Sequence, residues 1–371
     1  MKRFIQKKKP NLIFALTIFL LIFFGIVMIS SSSVVISLEH TGKNYSYVVK
    51  QIESLIFGLI AMFATYNIDY RFWKKNSFWL LIITLSLLLL VFIPGIGKSA
   101  GGAHRWIGLG SHWFQPSELI KLTFIIYLAA WLDNMGEKVN NFFTGFLPFA
   151  FLVGLVGFLI MLQPDLGTFS VILLSAVTVF FVAGADLSHL MIGSGGMLAL
   201  LAIMIKISPY RQQRLQVFLN PSIDAQGSAY HINQALLAVG AGGLWGLGFG
   251  QSRQKYLYLP EAHTDSIFAI IAEELGFIRS SLVVLAYLFV AYLGFKIAQN
   301  APDKFSRLVC VGITSWILCQ AFINIGAIIG VLPFTGVPLP FISYGGSSLI
   351  ILLAGVGLML NISRINTGET I

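Results

Sequence analysis

The chain has 371 residues, of which 57% are hydrophobic and 11% charged, with a formal net charge of +9. A soluble domain carries about 25% charged residues, so the composition excludes a water-soluble fold and points to a single polytopic membrane domain over residues 1–371. No nucleic-acid partner is expected. The chain opens on the basic stretch Met1–Lys9. The apolar run after Asn11 is too long for a cleavable signal and has no small-residue cleavage site, so it reads as a first anchor.

A helix needs roughly 20 apolar residues to cross a bilayer. Ten runs qualify, at 12–36, 48–67, 78–94, 116–133, 146–162, 167–184, 188–207, 265–296, 306–331 and 345–362. The expected fold is therefore all-α, with ten transmembrane helices and a long extramembrane loop, 206–264, before helix 8. The run 265–296 is over-long and must tilt, kink or protrude. If the N-terminus is inside, inner segments carry thirteen Lys and Arg and outer segments ten, half of the latter in the long loop. Short loops thus favour cytoplasmic termini and an extracytoplasmic 206–264 loop. The outer cations call for an anionic ligand. Cys310 and Cys319 share one apolar run and read as buried small hydrophobes, while the six His show no zinc-like spacing; no metal site is expected.

The polar motifs fall where the chain re-enters the membrane from one face. Gln115-Pro116-Ser117-Glu118 opens helix 4, with Pro at the first helical position as helix starts favour. Lys121 lies three residues after Glu118, on a neighbouring position of the same face. Gln163-Pro164-Asp165 opens helix 6, where a capping role for Asp165 is as good a reading as a functional one. Helix 8 follows Arg253, Lys255, Glu261, His263, Thr264 and Asp265; Thr264 could cap it, and a carboxylate there could act as a general base. A helix N-terminus lowers a carboxylate's pKa, so burial or Glu261 must push Asp265 back up for that role. Ser343-Tyr344-Gly345-Gly346-Ser347-Ser348 leads into helix 10, with glycines that let a backbone approach a ligand and hydroxyls that can bond to it. Four helix N-termini around one outer cavity would favour an anion such as phosphate. Glu273-Glu274 would line the same cavity or pair with a cation, and Gln320 with Asn324 would hydrogen-bond across the bundle.

Taken together, Gly102-Ala103-His104-Arg105-Trp106-Ile107, Phe114-Gln115-Pro116-Ser117-Glu118-Leu119, Gln163 to Thr168, Gln254 to Asp265, Glu273-Glu274-Leu275-Gly276 and Leu339 to Ser348 resemble the SEDS family of shape, elongation, division and sporulation proteins. They run in family order over nearly the whole chain. The Pro260-Glu261-Ala262-His263-Thr264-Asp265 wording leans toward the FtsW division branch over RodA. Departures from the family pattern stand at Ser266, Ala272 and Arg279.

The resemblance implies a peptidoglycan glycosyltransferase in the bacterial cytoplasmic membrane. It would polymerise lipid II at the outer face, with a class B penicillin-binding protein and other divisome or elongasome membrane proteins as partners. It places the essential aspartate on Asp265. Arg105, Gln115, Glu118, Lys121, Asp165, Lys255, Glu261, His263, Thr264, Ser343 and Ser347 would then line the substrate site. A Mg2+ or Mn2+ ion could share the diphosphate charge, although no ligand set is visible. Two rival readings belong to other classes: a flippase for lipid-linked precursor, and a non-catalytic scaffold for the synthase.

Overall fold

A computed structural model of the protein describes residues 6–7, 9–100, 103–109, 112–193, 195–196, 206, 209–220 and 229–366. Among these, eight helices are long and apolar enough to cross a membrane, and one further apolar helix is shorter. In chain order the helices are α1 (Leu12–Ser32), the short α2 (Val34–Thr41), α3 (Ser46–Asn67), α4 (Tyr70–Leu90), α5 (Pro116–Met135), α6 (Leu147–Leu162) and the shorter α7 (Leu166–Val182). They continue with α8 (Pro209–Leu219), α9 (Tyr230–Gly242), α10 (Ile267–Gln299), α11 (Lys304–Ile328) and α12 (Gly346–Ser363). Nine of the ten expected runs are thus helices. The remaining run, 188–207, lies largely outside the described residues.

One expectation needs correction. The third span begins at Tyr70, well before residue 78, because Arg71, Lys74 and Lys75 belong to the helix rather than to the loop before it. Basic side chains at a helix end can keep their charge at the interface while the stem lies along the helix. The all-α class holds, with two small antiparallel sheets beside the helices. β2 (Gly97–Ala100), β3 (Ala103–Leu109) and β4 (His112–Phe114) form a small antiparallel sheet between α4 and α5. A second pair joins the ends of the chain, β1 (Gln6–Lys7) with β5 (Ile365–Asn366). Both ends therefore lie at one end of the bundle.

The core is built around α11 and α12. Their most apolar stretches are 83% buried, against 17% for α3 and 22% for α4, so the former are central and the latter face lipid. α12 packs chiefly on α3, α11 on α10 and α7, and α4 on α5. Side-chain caps open α1, α4 and α11. Asn11 accepts from Phe14 N, Asp69 from Arg71 N, and Asp303 with Ser306 forms a capping box at α11.

The long α10 is broken at Gly276, whose φ of 76° leaves the helical region. A break inside a membrane exposes backbone groups that hydrocarbon cannot satisfy. Segment 243–248, which follows α9, supplies the partners. Leu247 N and Gly248 N donate to the carbonyls of Glu273 and Glu274, while Phe277 N and Ile278 N donate to the carbonyls of Gly243 and Leu244. The backbones meet so closely that a Cβ on Gly276 would lie 2.2 Å from Gly246 N. Segment 243–248 is thus stitched into the bundle.

Candidate active site

Asp265 lies in the turn just before α10, at the end of the bundle where α5, α7, α10 and α12 all begin. The polar motifs expected to share one face do so, and direct contacts tie them together. Ser347 Oγ accepts from Gln115 N at 3.1 Å, joining the starts of α12 and α5. Arg105 donates from Nε to Gln163 O at 2.8 Å and from Nη2 to Pro164 O at 2.6 Å, fastening the sheet to the start of α7. Tyr344 N donates to His263 O at 2.9 Å, and Ser343 Oγ donates to Thr264 O, joining the approach to α12 with the Asp265 turn.

The backbone around Asp265 is fixed by a second layer. Asn324 Nδ2 donates to Asp265 O and to Val337 O, both at 2.7 Å. Gln320 Nε2 donates to Pro338 O at 2.9 Å. The two polar residues of α11 expected to bond across the bundle therefore hold the 337–338 segment and the aspartate itself. Gly336, with φ of 72°, lies against the carboxylate: a Cβ there would sit 3.3 Å from Asp265 Oδ2. Glycine is the residue that combines that backbone angle with that approach.

Asp265 is partly buried, and Thr264 Oγ1 lies 3.2 Å from its Oδ1 and 2.9 Å from Glu261 Oε2. One hydroxyl thus bridges two carboxylates. The helix begins at Ile267, with Ser266 at the cap and no side-chain capping bond, so Thr264 is a bridge and not a cap. Burial first, and then the charge of Glu261, push the Asp265 pKa up to about 7; the Thr264 hydrogen bond pulls in the opposite direction. Both causes act in the direction that a proton-accepting carboxylate at a helix start requires.

Other predicted residues are placed as follows. Glu118 Oε1 accepts from Lys121 Nζ at 2.8 Å, with both side chains buried, and the ammonium also donates to Gln320 Oε1 at 2.9 Å and lies over the Trp316 ring. Glu118 Oε2 is buried with no partner among the described residues. Asp165 accepts from Thr168 N and Thr168 Oγ1 and so caps α7. No side chain caps α5, α10 or α12. His263 is buried against the rings of Tyr47 and Tyr344, and burial lowers its pKa to about 4, so it is a neutral packing group near pH 7. Lys255 donates to Glu274 Oε1 at 3.1 Å, to Ser31 Oγ at 3.2 Å and to Gly250 O at 2.6 Å. Its ammonium and that of Lys121 are both engaged by carboxylates within the protein. Glu273 accepts from Ser252 Oγ, Arg253 N and Gln254 N, and so clamps the loop to α10.

Two residues of the long loop escaped sequence reasoning. Arg214 on α8 donates to Phe334 O at 3.0 Å, beside the Gly336 segment, and its charge acts on Asp265. His231 on α9 bonds Ser266 Oγ at 2.6 Å and packs its ring at a tilt against Phe334, 4.2 Å between centroids. The three family departures meet this same loop. Ser266 bonds His231, Ala272 O lies against Gly242, and Arg279 donates to Trp245 O. Charge count alone marked Arg214 as an outer cation; only the fold brings it beside the aspartate. Among the described residues, no group of three or more His, Cys, Asp and Glu comes together as a metal cage.

Residues 11–368 match the cell cycle protein family named for FtsW, RodA and SpoVE. The chain belongs to this SEDS family. It is similar to stage V sporulation protein E of Bacillus subtilis (strain 168), with 42% identity over 97% of this chain and 98% of that one. It is also similar to the probable peptidoglycan glycosyltransferase FtsW of Coxiella burnetii (strain RSA 493 / Nine Mile phase I), with 41% identity over 91% and 92% of the two chains. Among solved structures, a chain from a peptidoglycan synthase complex that coordinates polymerization and crosslinking superposes with a TM-score of 0.80. It shares 28% identity over 96% of this SEDS protein and 98% of that chain. The expected family and membrane-helical architecture are thereby established.

Proposed function

We propose that this SEDS protein is a peptidoglycan glycosyltransferase of the division branch, polymerising lipid II with Asp265 as the general base. The observation that carries the reading is the basic carboxylate at a shared mouth: Asp265, raised to about 7, lies where four helices begin. Relatives named as FtsW glycosyltransferases and the superposed synthase complex support the same chemistry. Asp265 takes the proton from the 4-hydroxyl of the acceptor N-acetylglucosamine. That oxygen attacks the anomeric carbon of the donor N-acetylmuramic acid, and undecaprenyl diphosphate leaves. A single displacement inverts the α-linked donor to a β-linked product. One carboxylate suffices because a diphosphate leaves without a general acid, unlike the alcohol leaving group of ordinary glycosides.

Arg214 and the open starts of α5, α10 and α12 are the groups we assign to the diphosphate. Lys121 and Lys255 serve as buried counter-ions that hold the site's walls, with Arg105 fastening the sheet. Gln115, Ser343 and Ser347 hold the motifs together through the contacts given above. A Mg2+ or Mn2+ ion shared with the diphosphate would meet Glu261, the exposed carboxylate beside Asp265, and would neutralise leaving-group charge.

We assign the site to the outer face of the cytoplasmic membrane, with both termini inside. The β1–β5 pair puts the ends of the chain together, which demands an even number of crossings; run 188–207 would raise the nine apolar helices to ten. The 206–264 loop is then extracytoplasmic. A class B penicillin-binding protein fits as partner. The test is lipid II polymerisation by the purified protein with its cognate synthase, native against Asp265→Ala, both equally folded. Glycan strands from the native form alone support the reading. Equal product from both removes Asp265 from the chemistry, and flipping activity without polymerisation by a verified complex would favour the flippase.

A further inference from the structure

At the far end of the bundle from Asp265, α4 and α5 flank an open cavity of about 520 Å³. α5 starts at the Asp265 end and runs away from it, and the cavity is lined by residues from its last turns. The lining is Arg71, Lys74, Lys75 and Ser77 of α4, with Tyr127, Trp131 and Asn134 among those facing them from α5. Three cations and no carboxylate line it. The acids nearby are already committed. Asp133 pairs with Lys74, Asp69 caps α4, and Asp303 accepts from Tyr70 Oη while capping α11. Lys75 is exposed, with no partner among the described residues. Phe78 of the lining and its α4 neighbours Phe72 and Trp79 are 51%, 51% and 64% exposed, an aromatic surface beside the cations of the kind that meets lipid headgroups.

We propose that this cavity binds the phosphodiester headgroup of an anionic phospholipid. A cationic pocket between two helices at an interface, with aromatic walls for acyl chains and an amide for the headgroup, matches phosphate and acyl chemistry together. Arg71 and Lys75 contact the phosphate, and Asn134 and Tyr127 offer donors to the remaining oxygens. Phe78 and Trp131 flank the glycerol and upper chains. The Lys74–Asp133 pair holds the two helices at the spacing that leaves the cavity open.

The test is native mass spectrometry of the full-length protein in detergent, with phosphatidylglycerol, phosphatidylcholine and inorganic phosphate as separate probes. Phosphatidylglycerol should be retained in preference to phosphatidylcholine. Arg71→Ala and Lys75→Ala should each weaken retention about fivefold, as expected for one interfacial cation. Lys75→Arg, which keeps the charge at an exposed position, should bind as the native protein does. Equal retention of both lipids overturns the proposal, as does undiminished binding by Lys75→Ala alone, a substitution that removes no contact from the fold. Displacement of the lipid by equimolar inorganic phosphate would overturn the lipid assignment in favour of a free phosphate site.

Discussion

At the scale of the residue, Asp265 owes its basicity first to burial and then to the charge of Glu261, with the Thr264 hydroxyl opposing them; the result is a pKa raised to about 7. A general base works only when deprotonated, so polymerisation should fall as pH drops through about 7. Glu261→Gln removes a raising charge, and the acid limb of the pH–rate profile should move to lower pH. Thr264→Val removes a hydrogen bond to the charged form, and the limb should move to higher pH. Shifts in the same direction would show that the limb belongs to another group. The Glu118–Lys121 pair makes a second residue-scale prediction. Lys121→Met leaves Glu118 buried without a cation, which costs about 3–5 kcal/mol, whereas the double change Glu118→Leu with Lys121→Met should recover most of that loss. Thermal unfolding in detergent measures both. A double variant no more stable than the single one would mean that the pair's partners Gln320 and Trp316, not its charge balance, carry the stability.

At the scale of the element, the helices were legible because hydropathy over a spanning length is a strong signal, and because Pro116 and Asp165 mark helix starts in the sequence itself. Over-length in the run 265–296 left tilt, kink or protrusion open, and the structure shows a kink at Gly276. What the sequence hid was what fills that break. No periodicity says that segment 243–248 will donate to Glu273 O and Glu274 O, because the contact is between backbones and uses no side-chain pattern. The sheet of β2, β3 and β4 was hidden for a similar reason, since its strands are short and glycine-interrupted. The assignment of Lys255 to the ligand site rested on the family resemblance, whereas its pairing with Glu274 depends on how the loop folds back. Gly276→Ala should lower the melting temperature and abolish polymerisation together, because a Cβ would meet Gly246 N at 2.2 Å and the φ of 76° is strained for alanine. Native stability in this variant would show that the break can close into a continuous helix.

At the scale of the whole molecule, the polar motifs are gathered at one end and the paired β1 and β5 strands lie at the other. The 206–264 loop brings Arg214 and His231 to the same end as Asp265. A cysteine introduced at the exposed Gln216, with Cys310 and Cys319 replaced by serine, should react with a membrane-impermeant maleimide in intact protoplasts. Reaction only after lysis would reverse the orientation and place the site on the cytoplasmic side. The account turns most directly on the aspartate, and the measurement that tests it is the pH dependence of lipid II polymerisation by the synthase complex containing either native protein or Asp265→Asn. The predicted result is an acid limb near 7 in the native complex, with a rate lower by about 100- to 10,000-fold and no such limb in Asp265→Asn. An Asp265→Asn complex that polymerises at the native rate with the same limb would contradict the assignment of Asp265 as the base.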